Sequence, residues 1–157
     1  MLEVVRNYLK RGWRIIPVPP GEKAPRIPGW QHLKLTLEDL PQYFSDGQNV
    51  GVLLGEPSNW LTDVDLDCDE ALQVAECFLP PTHAIFGRAS KSKSHFLYYC
   101  QGARTIRFEW QGKVIAEIRA TGAQTLFPPQ FIPQASVSVG TKTETLHPLT
   151  LQPSSVL

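Results

Sequence analysis

The sequence predicts an α+β domain, a mixed and mainly antiparallel sheet flanked by helices. Short helical and strand-like stretches are interspersed through the first half. Five strand-like segments follow one another in the second half, which puts most of the sheet there. At 157 residues the chain is long enough for one core and too short for two comfortable ones.

Glu3 to Arg11 reads as a short helix, with Val4, Val5, Tyr8 and Leu9 on one face and Gly12 as its stop. Trp13 to Val18 has strand character. Pro19 to Gly29 carries Pro19, Pro20, Pro25 and Pro28, so it forms an irregular loop. A helix near Asp39 to Phe44 takes Asp39 as its N-cap ahead of Leu40-Pro41. Asn49 to Leu54 and Trp60 to Asp67 read as adjacent strands across the loop Gly55 to Asn59. Asp69 to Leu79 suits a helix with Leu72, Ala75, Cys77 and Phe78 partly buried, ended by Pro80-Pro81. The strand-like segments that follow are His83–Phe86, His95–Cys100, Arg104–Trp110, Lys113–Arg119 and Gln124–Phe127. From Pro128 the periodicity fades into Gln, Ser, Thr and Pro, so the domain is expected at 1–135 and a poorly ordered tail at 136–157.

Ordinary apolar content and balanced charge exclude a disordered or membrane protein. No apolar run approaches the roughly 20 residues of a spanning helix. Lys10, Arg11 and Arg14 interrupt any signal-peptide core early. Cys68, Cys77 and Cys100 are odd in number and form no C-x-x-C pair, which points to free thiols in a reducing cytoplasm and away from structural zinc. A formal net charge of zero gives no global attraction to nucleic acid, so local basic clusters must hold such a partner.

The most telling feature is the row Asp63, Asp65 and Asp67 in Trp60-Leu61-Thr62-Asp63-Val64-Asp65-Leu66-Asp67. Side chains alternate along a strand, so Thr62, Val64 and Leu66 face a core while the aspartates line the other face, roughly 6.6 Å apart. Carboxylates at that reach bracket one divalent ion, or a pair about 3.5–4 Å apart. Like charges so close raise one another's pKa unless a cation neutralises them. Two readings stand, a solvated acidic strand edge or a hard-metal site suited to Mg²⁺ or Mn²⁺; the apolar strand around the row favours metal.

His95 follows Gly87-Arg88-Ala89-Ser90-Lys91-Ser92-Lys93-Ser94, a basic and hydroxylic set that is either a solvated loop or a binder of phosphate oxygens. Glu117 and Arg119, two apart on one face, are either a surface pair or a metal ligand beside a phosphate holder. Gly122 allows close backbone approach and Gln124 adds a hydrogen-bonding side chain. Trp30 reads as an anchor for the proline-rich loop that Lys23 enters. The sequence contains no Walker-type loop, G-x-S-x-G or H-E-x-x-H motif.

Taken in order, these segments resemble the primase-polymerase (Prim-Pol) domain of the archaeo-eukaryotic primase superfamily. The matching residues are Gly12-Trp13, Pro17-Val18, Lys23-Ala24-Pro25 and Gly29-Trp30, then Asn49 to Gly55 ahead of the aspartate row. Gly87-Arg88-x-Ser90 running to Ser94-His95, and Glu117-Ile118-Arg119-x-x-Gly122-x-Gln124 running to Pro128-Pro129, complete the set over roughly residues 5–130. The resemblance implies an archaeo-eukaryotic primase-like core in which an acidic pair and a later acid bind divalent metal and a histidine contacts the incoming nucleotide. Carried over, the pair is Asp65 with Asp67 or Asp63 with Asp65, the later acid is Glu117 and the histidine is His95.

The implied chemistry is nucleotidyl transfer onto a 3′-hydroxyl or an initiating nucleotide, on a single-stranded DNA template. Arg88, Ser90, Lys91, Ser94, His95, Arg119, Gln124 and Lys23 are the expected nucleotide contacts, and Arg14, Arg104 and Arg107 the template contacts. A helicase in cis or in trans and a setting in plasmid or phage DNA replication are expected with it. After Pro129 the chain reads Gln130-Phe131-Ile132-Pro133, where the family usually continues with a serine and a histidine, so an excised piece, a minimal form or a truncated relic is the expectation. Two alternatives follow, a metal-dependent nuclease using Asp65 with Glu117-x-Arg119, and an inactive nucleotide- or nucleic-acid-binding relic of the same fold.

Overall fold

The computed structural model describes residues 1–128. Helix α1 (Leu2–Lys10) buries Val4, Val5 and Tyr8, and the chain turns at Gly12, whose positive φ suits a residue without Cβ. Strand β1 (Arg14–Val18) follows, then the proline-rich loop, one 3₁₀ turn at Trp30–His32 and the short helix α2 (Leu40–Tyr43). Asp39 is the N-cap residue of α2, as expected, but its side chain makes no cap bond: the carboxylate accepts from Thr36 N and Thr36 Oγ1, both at 2.8 Å, and so closes the preceding turn.

The strands form two antiparallel sheets. One has three strands in the order β1, β2 (Asn49–Leu53), β8 (Gln124–Phe127). The other has five in the order β4 (Ile85–Arg88), β5 (Lys91–Tyr99), β3 (Leu61–Leu66), β7 (Lys113–Arg119), β6 (Ile106–Trp110). The stretches around β2 and β3 are therefore not paired neighbours. Gly55 (φ 79°), Asn59 (φ 56°) and Trp60 (φ 66°) redirect the chain so that β3 leaves the first sheet for the centre of the second, with one isolated bridge from Gly55 to Leu61 left between them. Strand β3 has six residues and ends at Leu66, so Asp67 lies past its end.

The two faces of the five-stranded sheet bury different things. Val64, Leu66, Phe96 and Tyr98 pack beneath helix α3 (Asp69–Phe78), which presents Ala71, Leu72 and Ala75. Helical spacing turns Cys77 and Phe78 outward, and Phe78 is 81% exposed, against the sequence expectation of partial burial for both. The opposite face carries Leu61, Phe86 and Leu97 into a core shared with Ile15, Val50, Val52 and Phe127 of the three-stranded sheet. Tyr8, Trp13 and Phe127 form an aromatic cluster with centroid separations of 5.4–5.6 Å. The proline-rich loop covers the far side of the small sheet, where Asn49 Nδ2 donates to Glu22 O (3.0 Å) and Gln124 Nε2 to Lys23 O (2.8 Å).

The basic stretch expected to be a loop is largely a tight hairpin, with Arg88 opposite Lys91 and an irregular register between Phe86 and Arg88. A Cβ on Gly87 would collide with the Lys91 carbonyl, so the two strands close only around glycine. Residues 129–157, and with them the expected tail and the Pro129 to Pro133 stretch, lie outside the described residues.

Candidate active site

Register decides the site. Asp65 is paired on one side with His95 and on the other with Glu117, and Asp63 is paired with Arg119. Directly paired residues project from the same side of a sheet. The row extends outward through Phe86, opposite His95, and Arg107, opposite Glu117, so one line of side chains crosses all five strands.

Asp63 is wholly buried. Its Oδ2 accepts from Thr125 Oγ1 at 2.7 Å and lies 3.0 Å from His95 Nδ1. With Nδ1 engaged by this oxygen, Nε2 is the ring nitrogen left for another partner. Phe86 stacks on the imidazole (centroids 4.6 Å, planes 12° apart), which fixes the ring plane. Burial alone would lower the His95 pKa; the hydrogen bond to Asp63 and the charges of Asp63 and Asp65 raise it above its ordinary value.

Asp65 is 7% exposed. Arg119 Nη2 meets its Oδ2 at 2.6 Å, and His95 Nδ1 lies 3.5 Å from its Oδ1. Burial pushes the Asp65 pKa up, His95 and Arg119 pull it down, and Asp63 and Asp67 add to the rise, which prevails. Arg119 Nε also donates to Glu117 Oε2 at 2.7 Å, while Arg107 Nη2 reaches Glu117 Oε1 at 3.4 Å. Burial disfavours the Arg119 charge, but its bond to Glu117 and the charges of Asp65 and Asp63 more than compensate.

Of the residues singled out in the sequence, the structure brings together Asp63, Asp65, His95, Glu117, Arg119 and Arg107. Asp67 is exposed beyond β3, and its carbonyl accepts from Lys91 Nζ. Lys93 pairs with Glu76 on α3 at 3.1 Å, so it is drawn towards the helix. Ser94 is buried, with its hydroxyl on Lys91 O (3.1 Å), and Arg88 and Ser90 are exposed in the hairpin. Lys23 and Gln124 hold the loop to one another on the far side of the small sheet. Arg14 donates to Leu33 O at 3.4 Å, and Arg104 is exposed near the start of β6. The sequence reading missed Thr125 and Phe86. Thr125 follows Gln124 in the Glu117–Gln124 stretch, and its alternation with Phe127 in β8 was the available signal.

Among the described residues no group of three or more His, Cys, Asp or Glu side chains converges to hold a metal. The Arg119 guanidinium bridges Asp65 and Glu117 instead. The donor set nevertheless fits a divalent cation. Asp63 Oδ1 is buried without a hydrogen-bond partner, a costly state for a carboxylate oxygen, and Asp65 and Glu117 add hard oxygen donors on the paired positions.

A family model described as bifunctional DNA primase/polymerase, N-terminal (Prim-Pol), matches residues 5–153. The chain belongs to the Prim-Pol family. A search of the curated proteins finds no match to it. Prim-Pol domains have a DNA primase/polymerase-type function and are generally metal-dependent. The Prim-Pol match runs through all the strands of the site. No helix among the described residues is long and apolar enough to cross a membrane.

Proposed function

We propose that this Prim-Pol chain is a nucleotidyltransferase that transfers nucleoside monophosphate units from nucleoside triphosphates to a 3′-hydroxyl, or to an initiating nucleotide, on single-stranded DNA, with pyrophosphate as the leaving group. The observation that carries the reading is the row His95–Asp65–Glu117 across β5, β3 and β7, with Asp63 and Arg119 paired two residues further along on the same face. Asp63, Asp65 and Glu117 would hold Mg²⁺ or Mn²⁺, which when bound supplies activation of the attacking hydroxyl and neutralisation of the leaving pyrophosphate. Thr125 and His95 orient the Asp63 carboxylate. His95 presents Nε2 to a phosphate oxygen, held in plane by Phe86. Arg119, 26% exposed, offers a planar fork matched to phosphate geometry. Arg107 and Arg104 on the β6 side are the candidates for template backbone contacts, which should weaken with salt.

The experiment is incorporation of labelled nucleotides with Mg²⁺ or Mn²⁺ on single-stranded DNA, with and without primer, against Asp65→Ala. Template- and Asp65-dependent product supports the reading, and primer-independent product makes the protein a primase. Nucleotide binding by a folded protein that forms no product would leave a binding module. Because Asp65, Glu117 and Arg119 are in direct contact, a metal-dependent nuclease is the second reading; hydrolysis of labelled DNA without nucleotides would select it.

A further inference from the structure

Asp65 and Glu117 have no idle carboxylate oxygen. Arg119 takes Asp65 Oδ2 and Glu117 Oε2, His95 lies near Asp65 Oδ1, and Arg107 approaches Glu117 Oε1. Asp63 differs: its Oδ2 is held by Thr125 and His95, its Oδ1 is bare, and no ion pair ties it to Arg119. The guanidinium thus sits on the two acids that a cation bound at Asp63 would also need. Its third contact is loose, Nη1 lying 3.5 Å from Thr125 Oγ1, and the side chain remains accessible to solvent.

We propose that Arg119 is a displaceable counter-cation. In the nucleotide-free protein it neutralises Asp65 and Glu117 and competes with divalent metal for them; a triphosphate, whose oxygens suit the same fork, draws it away and opens the acids to metal. Metal and nucleotide then bind with positive coupling, reciprocal by linkage. This rests on the metal-dependent reading above and adds an order to it, because metal affinity is low until a nucleotide arrives.

The test is Mn²⁺ binding to the nucleotide-free full chain, followed by electron paramagnetic resonance, for the wild type, Arg119→Gln and Arg119→Lys. Arg119→Gln is expected to bind Mn²⁺ on the order of tenfold more tightly than the wild type. Its thermal midpoint should fall in EDTA and recover with Mn²⁺, a rescue that a merely structural arginine would not give. Arg119→Lys keeps the charge without the planar bridge, so it should bind Mn²⁺ more tightly than the wild type and less tightly than Arg119→Gln; it decides the matter alone if Arg119→Gln does not fold. Unchanged or weaker Mn²⁺ binding in the folded variants overturns the proposal while the metal-dependent reading stands. Failure of all three folded proteins to bind Mn²⁺ overturns both.

Discussion

Thr125 on β8 donates its hydroxyl to Asp63 on β3 at 2.7 Å, and this bond joins the three-stranded sheet to the acidic face of the five-stranded one. With Asp63 Oδ1 already unpartnered, the loss of this donor leaves the buried carboxylate with His95 as its remaining close partner. Thr125→Val should therefore cost about 1–3 kcal/mol of stability and lower turnover. Denaturant titration and nucleotide incorporation check it, with Thr125→Ser keeping most of both.

The register separates the aspartates. Asp63→Asn, Asp65→Asn and Glu117→Gln should each reduce incorporation on the order of 100-fold or more, because each removes a charged donor from the paired row. Asp67→Asn, beyond the strand and exposed, should stay within a few-fold of the wild type. Comparable losses at Asp67 and Asp63 would refute the Asp63–Asp65 assignment. Circular dichroism of each variant separates lost chemistry from lost fold.

Metal-free stability should fall with rising pH. The folded His95 pKa is raised, as net result of burial (which lowers it) against Asp63, Asp65 and their hydrogen bond, with Arg119 opposing. A raised folded pKa contributes stability that is fully present below the unfolded value near 6.5 and lost as pH rises through the folded one. The Asp65 shift, also upward, acts in the same sense in the acid range. Thermal melts in EDTA from about pH 6 to about pH 8 should show a declining midpoint, and His95→Gln should flatten that decline; a rising midpoint would contradict it.

Gly87→Ala should destabilise the β4–β5 hairpin by about 1–3 kcal/mol, because the added methyl meets the Lys91 carbonyl. Phe86 and His95 flank the strain, so nucleotide affinity should drop with stability. An alanine variant with wild-type melting and affinity would show that the hairpin accommodates it.

The local elements were legible because short-range patterns specify them. Lys113–Arg119 and Gln124–Phe127 form strands at the limits expected from alternation, and Gly12 ends α1 as its backbone freedom suggests. Asp65, His95, Glu117 and Arg119 stood out because charged side chains interrupt apolar strands. What the sequence could not convey depended on which strands pair. Partition into two sheets, the position of Asp67 past the end of β3 and the engagement of Lys93 by Glu76 are all set by contacts between distant segments. Thr125 belongs to the same class, since a lone threonine in a strand gains meaning only from the buried carboxylate opposite it. Gln124 carries a second contact of this kind, its amide donating to Lys23 O across 101 residues of sequence.

Because β8 returns to pair with β2, the first sheet has to wait for the last described strand. Ribosomal synthesis delivers Asp63 62 residues before Thr125, and Tyr8 120 residues before the Pro128 carbonyl it reaches. Closing such long loops costs conformational entropy, and during synthesis the small sheet cannot be completed before β8 has emerged. A nascent chain halted before β8 would hold its acidic face open, with neither the Thr125 hydroxyl on Asp63 nor the Phe127 ring beside Phe86. The acidic row itself lies on strands made earlier, so β8 brings its last contact, Thr125 on Asp63, together with the strand that completes the small sheet.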